Sequence, residues 1–394
     1  MTEVGVIGVG VIGAGFRGGL ATAADVPGTS RVVAIADVDG TAARRAVAER
    51  HPGAVALTDP RALLERADVD AVLVITPDHT HADLACAALE AGKAVFVDKP
   101  LATTVADCDR VLETARRTGS RLYVGHNMRH MPVVRAMREI VRRGDIGAVQ
   151  SIWVRHFVGN GGDFYFKDWH AELRCTTSLL LQKAAHDIDV VHWLAGAYTE
   201  RASAFGALRV YGDGHRRPPG TPKPADWLDP ERNWPPRAQR DLNAVIDVED
   251  LSVVNLQLAG GALAAHQQCH FAPDYWRNYT VIGDAGRLEN FGDGSGAVVK
   301  VWRRRRPGYA PDADTEHVLP DSGEVHAGAD RPLIAEFLRF ARDGGPTDTS
   351  PVVARMSVAA AVQATASLRA GGEPRAVPAL DPGLVAYFER GQRS

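Results

Sequence analysis

The first 127 residues alternate short apolar runs with amphipathic stretches of helical period. Each apolar run stands before glycine, proline or acidic residues, which is typical of buried parallel strands followed by loops. This order predicts a doubly wound α/β domain over residues 1–127. The predicted helices include Ala82–Ala91 and Val105–Arg117. The predicted strands are Val4–Ile7, Val32–Ala36, Ala71–Ile75, Ala94–Val97 and Leu122–Val124.

The rest of the chain has a different pattern, which predicts an α+β domain over residues 128–394. Its strand-like runs alternate polar and apolar residues or follow one another through short turns, so we expect a mainly antiparallel, open sheet. Residues 211–243 are rich in Pro, Arg, Asp and Gly and predict a long surface loop. Late helices are predicted at Arg331–Asp343 and Pro351–Ala370. The strand-like runs are Val149–Phe157, Ala202–Val210, Asp250–Leu258, Ala262–Phe271 and Tyr279–Ile282.

The composition is that of a globular protein with room for two cores. Of 394 residues, 45% are hydrophobic and 24% are charged, and the formal net charge of −3 gives no field that attracts nucleic acid or an anionic membrane. The four scattered cysteines form no Cys-x-x-Cys pair, which indicates a reducing compartment. No run reaches the ~18 apolar residues of a membrane span. We therefore predict a cytoplasmic protein with neither a nucleic-acid nor a membrane partner.

A glycine series, Gly8-Val-Gly10-Val-Ile-Gly13, follows the first predicted strand. In a dinucleotide-binding fingerprint the three glycines make the tight turn, let the backbone approach the pyrophosphate and let helix and strand pack closely. This places a Rossmann cofactor site at the start of the chain. The residues predicted to hold the cofactor there are Gly8, Gly10, Val11, Ile12 and Gly13.

Asp37 ends the second predicted strand and supplies the acidic residue of the same fingerprint. Its carboxylate would accept hydrogen bonds from a ribose diol and repel a 2′-phosphate, which favours NAD over NADP. Arg44 and Arg45 lie nearby in the sequence and would soften that preference.

Three further segments bear polar residues after strands or on a predicted helix: Thr76-Pro77 with His81, Asp98-Lys99-Pro100, and Gln182-Lys183 with His186. With the glycine series and Gly125…Arg129, they resemble the Gfo/Idh/MocA family of sugar and cyclitol oxidoreductases over essentially the whole chain. The resemblance implies a second domain that binds substrate and mediates oligomerisation, with late helices able to pack back on the first domain. It also implies a homodimer or homotetramer.

The resemblance assigns roles residue by residue. Lys99 corresponds to the family's active-site lysine, with Asp98 in place of the usual glutamate, and His186 corresponds to its catalytic histidine. Gln182 stands where the family has an aspartate, and Lys183 adds a cation beside it. The cofactor contacts predicted after the strands are Thr76, Pro77, His81, Asp98, Lys99 and Asn127.

Hydride transfer from a secondary alcohol needs a base for the hydroxyl proton and a group that stabilises the developing oxyanion. His186 suits the first role, because imidazole titrates near neutral pH, and Lys99 suits the second. Lys183 is expected to lower the pKa of Lys99 and allow it to share the proton transfer. Lys99, Lys183 and His186 are therefore the predicted catalytic residues, and either Asp187 or Asp189 orients the histidine.

The predicted substrate pocket contains an unusual number of cations. If they converge, the substrate carries a carboxylate, phosphate or sulfonate, which guanidinium groups bind in bidentate fashion. The alternative is that most of these side chains face water. No metal is predicted, because NAD chemistry gives the spaced residues His186, Asp189 and His192 no reason to bind one. The predicted substrate-binding residues are Arg129, Arg155, Lys167, Trp169, His170, Arg174, Gln182, Asp189 and Tyr275.

Three functions remain open at this stage. The first is an NAD-dependent dehydrogenase acting on a secondary hydroxyl of a sugar or cyclitol. The second is an NAD-dependent glycosidase, as in relatives that act on sulfoquinovosides, using transient 3-oxidation, elimination, water addition and re-reduction. It needs a second base, for which Tyr275, His170 and His192 are candidates. The third is a nucleotide sensor without turnover, which the retention of Lys99 and His186 disfavours.

Overall fold

The computed structural model describes residues 5–224, 227–229, 231–320 and 328–392. The chain divides into two compact units. The first unit contains residues 1–127, 329–358 and 379–394, and the second contains residues 128–328 and 359–378. No helix within the described ranges has the length and apolar character needed to cross a membrane.

In the first unit, the described residues form one parallel sheet with strand order 3-2-1-4-5-6, the order of a Rossmann domain. The α/β prediction is therefore confirmed. The first strand begins and ends later than the predicted Val4–Ile7, and β3 is absent from the sequence-based assignment. The strands are β1 (Ile7–Ile12), β2 (Ser30–Ala36), β3 (Val55–Leu57), β4 (Ala71–Val74), β5 (Ala94–Asp98) and β6 (Leu122–Gly125).

Helices follow these strands as the alternating pattern requires. They pack their apolar faces on the sheet, and Asp39, Asp59 and Thr104 cap three of them through side-chain oxygens that accept backbone N–H groups. The helices are α1 (Gly19–Ala23), α2 (Gly40–Arg50), α3 (Pro60–Leu64), α4 (His81–Glu90) and α5 (Val105–Thr118).

The second unit is built on a mixed, mainly antiparallel sheet, as predicted. Among its described residues the strand order is 14-13-12-11-7-10-9-8-15, and the pair β7–β10 is parallel. The strands are β7 (Val149–Phe157), β8 (Thr199–Ala207), β9 (Leu251–Leu258), β10 (Leu263–Cys269), β11 (Trp276–Gly283), β12 (Arg287–Phe291), β13 (Val298–Trp302), β14 (Thr315–Val318) and β15 (Arg375–Ala376).

The described part of the chain contains seven further helices. The two late helices are confirmed to within one residue at each end, and α10 packs Leu333, Phe337 and Phe340 into the core of the first unit. The helices are α6 (Pro132–Arg142), α7 (Gly161–Tyr165), α8 (Leu173–Thr176), α9 (Leu179–Ala195), α10 (Asp330–Asp343), α11 (Pro351–Arg369) and α12 (Pro382–Glu389).

The predicted loop over residues 211–243 is irregular in its described part, apart from short 3₁₀ turns at Tyr211–Asp213 and Pro236–Ala238. It is not only a surface segment. Tyr211 and Leu242 are buried in a cluster with Phe166 and Leu179, and the Tyr211 and Phe166 rings stack at 4.4 Å. The loop therefore covers the segment that precedes α9.

Candidate active site

The turn after β1 lies five residues later than the sequence analysis placed it. Gly8 and Gly10 are strand residues, and Val11 and Ile12 are buried in the core at 1% and 3% exposure. Gly8 is required there because a Cβ would lie 1.8 Å from the Asp68 carbonyl oxygen. The assignment of these four residues to the cofactor turn is therefore corrected: β1 must extend to Ile12 to pair with both β2 and β4.

The turn itself contains a second glycine series, Gly13-Ala-Gly15-Phe-Arg-Gly18. Gly13 has φ +108°, and a Cβ at this position would lie 2.6 Å from the Ile75 carbonyl oxygen. The Cβ position of Gly15 has no atom within 4 Å, so the backbone there is open to a close-approaching group. This combination of a turn that only glycine fits and an open backbone suits a pyrophosphate.

Asp37 follows β2 and is fixed against this turn. Its carboxylate accepts the N–H of Ala14 at 2.7 Å and the N–H of Asp39 at 2.8 Å. An acid held in this way at the end of the second strand fits the ribose of a dinucleotide. The residues of the first unit thus fit NAD at the glycine turn.

Thr76 and His81 join two loops at the carboxyl edge of the parallel sheet. The ring nitrogens of His81 lie 2.7 Å from the Pro100 carbonyl oxygen and 2.9 Å from the Thr76 carbonyl oxygen. Burial lowers the pKa of His81, so the ring is neutral and donates to one carbonyl at a time. His81 is 1% exposed, so it supports the two loops from the protein interior. Thr76 and Pro77 are half-buried.

Lys99 follows β5 directly and is half-buried. Its backbone N–H donates to Asp98 Oδ1 at 3.0 Å, and Asp98 Oδ2 accepts Arg17 Nε at 3.0 Å. Asn127, after β6, donates to Asp330 Oδ1 at 3.2 Å. Asp98 and Asn127 thus bind protein groups beside the lysine.

In the second unit, α9 carries Gln182, Lys183 and His186. Ser178 caps the helix by accepting the N–H of Leu181 at 2.9 Å. Because helical residues three apart share a face, Lys183 and His186 are neighbours on one side of α9. His186 is 7% exposed, and Lys183 Nζ lies 5.7 Å from the centre of the Tyr165 ring.

Aromatic rings lie next to this side of α9. The Tyr165 ring is 5.2 Å from His170 and 5.0 Å from His270, both edge to face, and Trp169 stacks on His170 at 3.8 Å. Tyr165, Trp169 and His170 are half-buried, so they present partly exposed rings. Burial holds the pKa of His270 well below its usual range, with His156 and Lys183 acting in the same direction.

Asp187 anchors α9 to the sheet. Its carboxylate accepts His156 Nδ1 at 3.0 Å and His266 Nε2 at 3.2 Å, and it also binds Arg277 and the Tyr279 hydroxyl. Burial opposes ionisation of Asp187, but Arg277 and the two imidazoles hold its pKa well below the usual range. The ligand atoms of His156, Asp187 and His266 lie within 4.8 Å of one another. The Arg277 guanidinium 3.2 Å from Asp187 would repel a metal ion placed among them.

The comparisons with known proteins agree with this architecture. Residues 2–126 match a model described as oxidoreductase family, NAD-binding Rossmann fold, and residues 134–289 match the GFO/IDH/MocA C-terminal domain. The chain belongs to the Gfo/Idh/MocA family. The prediction of NAD as cofactor is confirmed by the family's NAD-binding domain.

Several members of the Gfo/Idh/MocA family are similar to this chain. YteT of Bacillus subtilis is 27% identical over 314 residues, 70% of this chain and 73% of YteT. Inositol 2-dehydrogenase 1 of Saccharopolyspora erythraea is 37% identical over 220 residues, which span 53% of this chain and only 60% of that enzyme. A levoglucosan dehydrogenase structure with NADH and levoglucosan has a TM-score of 0.76 at 20% identity, covering 95% of this chain and all of the other, and shows the shared fold.

Three cations predicted to line the substrate pocket of this Gfo/Idh/MocA protein lie elsewhere. Arg155 is on the sheet face opposite α9, because side chains alternate along β7, and it binds Asn278 at 2.7 Å. Lys167 is 2% exposed, and its ammonium binds Asn233 at 3.0 Å. Arg174 is exposed and pairs with Glu172 at 2.6 Å. Two acceptors of the Lys167 ammonium, the Trp227 carbonyl oxygen and Asn233, come from the loop over residues 211–243, which no local pattern connects to it, and Asp163 pairs with it at 3.3 Å.

Arg129, Asp189 and Tyr275, which are also predicted to bind substrate, are engaged with protein groups. Arg129 binds Asp189. Tyr275 is half-exposed, and its hydroxyl donates to Asp293 at 2.6 Å.

Sequence reasoning missed Gly15 and Gly18. The signal was available, since the third glycine of a fingerprint stands ~20 residues before its acid, and Gly18 fits that spacing to Asp37 better than Gly13.

Proposed function

We propose that this chain is an NAD-dependent dehydrogenase that oxidises a secondary hydroxyl of a sugar or cyclitol. The observation that carries the proposal is the placement of Lys183 and His186 on one face of α9 beside half-exposed aromatic rings, in a protein with a fitting NAD turn. The names of similar proteins, which include inositol 2-dehydrogenases, support this substrate class.

The residue roles follow from proton chemistry. NAD, when bound, accepts the hydride from the carbon that bears the hydroxyl. His186 takes the hydroxyl proton, and Lys99 donates a hydrogen bond to the oxygen as negative charge develops. Gln182 is 6% exposed and, unlike an aspartate, carries no charge. Lys183 therefore makes this helix face more cationic.

The proposed substrate is a neutral polyol. Arg155, Lys167 and Arg174 are each paired with a protein group, so the cationic cluster that an anionic sugar would need is reduced to Lys183 with its neighbouring imidazoles. Partly exposed rings such as Tyr165 and Trp169 suit the apolar faces of a sugar. The homo-oligomer and the cytoplasmic location stay part of the proposal.

A two-signal assay tests the function. Purified protein receives NAD and either neutral sugars and cyclitols or nitrophenyl glycosides, while reduced nicotinamide and released nitrophenol are followed together. We expect reduced cofactor to accumulate with substrate consumption, and Lys99→Ala and His186→Ala to lose at least ~100-fold in kcat. Lys300→Ala, which removes a lysine on β13 that is paired with Glu316 on β14, is the matched control.

Two other outcomes would contradict the dehydrogenase. NAD-dependent release of nitrophenol without net reduced cofactor would establish the glycosidase. NAD binding without turnover on any substrate, unchanged by Lys99→Ala, would indicate a sensor.

A further inference from the structure

A cavity of about 500 Å³ lies in the second unit, between the turn that joins β11 to β12 and the segment that follows β13. Its described lining contains five arginines and one acidic residue, Asp284. Arg287 comes from β12, and the other four arginines are residues 303–306, directly after β13. None of the described residues that line this cavity belongs to the glycine turn or to α9.

Asp314 fixes the arginine segment from its inner side. Its Oδ2 accepts the backbone N–H groups of Arg303 and Arg304 at 2.7 and 3.0 Å, and its Oδ1 accepts Arg306 Nη2 at 2.8 Å. These hydrogen bonds, with that of the Arg303 N–H first, lower the pKa of Asp314 to about 2, so its carboxylate is ionised at neutral pH. The Asp314 side chain is 6% exposed and that of Arg304 is 84% exposed. A single carboxylate therefore orders the backbone of the run and leaves its outer guanidinium groups accessible.

Trp302 fixes the two ends of the same segment. Its ring N–H lies 3.0 Å from the carbonyl oxygens of both Ala310 and Asp312, so the chain between them and the tryptophan forms a loop with held ends. The Arg287 guanidinium lies over the Trp302 ring at 3.6 Å and pairs with Glu289 at 2.8 Å. Arg287 is therefore also held in one position.

The turn between β11 and β12 forms the other wall of the cavity. Asp284 Oδ1 accepts the N–H of Ala148 at 2.9 Å, and the N–H groups of Asp284 and Ala285 donate to the carbonyl oxygens of Ala148 and Ile146. Gly147 is required beside this turn, because a Cβ there would lie 1.9 Å from Asp284 Oδ1. The acidic residue of the lining is thus engaged with the segment before β7, and the wall is fixed by backbone hydrogen bonds.

We propose that this cavity binds a small molecule that carries a diphosphate or triphosphate. Guanidinium groups bind phosphate oxygens through pairs of parallel hydrogen bonds. Arg287 and residues 303–306 present such groups from two segments, so more than one phosphate can be bound at a time. The volume of about 500 Å³ lies within the range of ~300–1,000 Å³ that is usual for small-molecule sites. Tyr309 lines the same cavity and is 86% exposed, so its ring offers a face to the rest of the ligand.

The distribution of charge favours a small ligand over a nucleic acid. A site for single-stranded nucleic acid combines a basic groove several nucleotides long with aromatic rings for successive bases. Here the arginines come from two neighbouring segments around one cavity, and the formal net charge of the whole chain is −3. A long polyanion would therefore gain little attraction outside the cavity. The inference goes beyond the proposed dehydrogenase and does not depend on it.

Calorimetric titration with inorganic tripolyphosphate tests the site. Saturating NAD occupies the glycine turn, and ~0.15 M NaCl screens attraction between exposed charges beyond ~8 Å. Arg304→Gln/Arg305→Gln should weaken tripolyphosphate binding ~100-fold, as expected for the loss of two charge-assisted contacts at ~tenfold each. Arg116→Gln/Arg117→Gln is the matched control, because it removes the same charge from two adjacent, exposed arginines on α5, and it should leave the affinity unchanged.

Asp314→Ala distinguishes a preformed site from a patch of solvated charge. The substitution removes a negative charge, so attraction alone would make tripolyphosphate bind more tightly. A preformed loop predicts the opposite, an affinity ~threefold to tenfold weaker, because the arginines must then be ordered on binding. Tighter binding by the folded variant would contradict the proposal.

Other results would also overturn it. These are a wild type that binds no tripolyphosphate up to ~1 mM, an equal loss of affinity in Arg116→Gln/Arg117→Gln, and binding of oligouridylate RNA without binding of tripolyphosphate. Size exclusion with light scattering completes the test. If Arg304→Gln/Arg305→Gln changes the mass in solution and leaves tripolyphosphate binding unchanged, the arginines belong to an interface between copies of the chain and the proposal is wrong.

Discussion

Arg129 and Asp189 bind each other through two parallel hydrogen bonds, with Nε–Oδ2 at 2.8 Å and Nη2–Oδ1 at 2.9 Å. Both side chains are buried, at 6% and 1% exposure, and the Arg129 guanidinium also lies over the Trp193 ring at 5.0 Å. The sequence alone predicts that both residues bind substrate. Their bidentate contact is structural, because it joins the middle of α9 to the segment before α6.

Arg129→Met is therefore expected to destabilise the protein strongly. Removing Arg129 takes two charge-assisted hydrogen bonds from a buried carboxylate, and breaking a buried ion pair in this way costs ~3–5 kcal/mol in free energy of unfolding. The double variant Arg129→Met/Asp189→Leu should recover much of this loss because neither charge remains. Urea denaturation of the three proteins measures both effects. A single variant of normal stability with a strongly raised KM would instead restore the substrate role.

The position of the glycine turn gives a second prediction. Gly8→Ala should lower the free energy of unfolding by ~1–3 kcal/mol, as overpacking does, because its methyl group meets the Asp68 carbonyl oxygen. Gly15→Ala should leave stability unchanged, since that position is open, and should weaken NAD binding ~tenfold by filling the space that the pyrophosphate needs. Thermal unfolding and calorimetric titration with NAD distinguish the two. The reverse pattern would favour the earlier glycine series.

These two cases show which structural features can be predicted from the sequence and which cannot. Apolar periodicity and the order of elements predicted both sheets, because buried strands and amphipathic helices leave regular patterns. The glycine turn was misplaced because two overlapping glycine series each fit the motif, and the first strand is itself rich in glycine. Only the length of β1, set by pairing with two neighbours, separates them.

The substrate-facing residues were harder to predict for a different reason. Whether a cation such as Arg155 faces a pocket depends on strand alternation relative to α9. Whether the Lys167 ammonium is available to a substrate depends on acceptors such as Asn233, which lies more than sixty residues away in the sequence. Neither fact is local. The helix that carries Gln182, Lys183 and His186 is predicted from the sequence and is present as α9, because a helical pattern is local.

The buried histidines predict a pH-dependent stability. Burial, with Arg277 nearby, lowers the pKa of His156 to about 3, against ~6.5 in an unfolded chain. Between these values the unfolded chain binds more protons, so the free energy of unfolding falls as the pH drops below ~6.5, by up to ~1.4 kcal/mol per pH unit for this group. Urea denaturation from pH 7 to 4.5 measures the slope.

His156→Asn isolates the contribution of that imidazole. The asparagine amide N–H₂ lies close to where Nδ1 was and can still donate to Asp187, but it does not titrate. The slope between pH 6.5 and 4.5 should therefore decrease by ~1 kcal/mol per pH unit. His215→Asn, at an exposed histidine, is the control and should leave the slope unchanged. An unaltered slope in His156→Asn would show that other groups account for the acid sensitivity.

The sheet face that carries Arg155 gives the last prediction. Large apolar side chains on this face are exposed, with Trp153 at 54%, Leu263 at 57% and Phe205 at 63%. An apolar patch of this kind favours association with a second copy of the chain. Trp153→Glu should therefore convert the wild-type oligomer to a smaller species in light scattering after size exclusion. Tyr309→Glu, at an 86% exposed residue after β13, should leave the mass unchanged; a monomeric wild type would refute the predicted homo-oligomer.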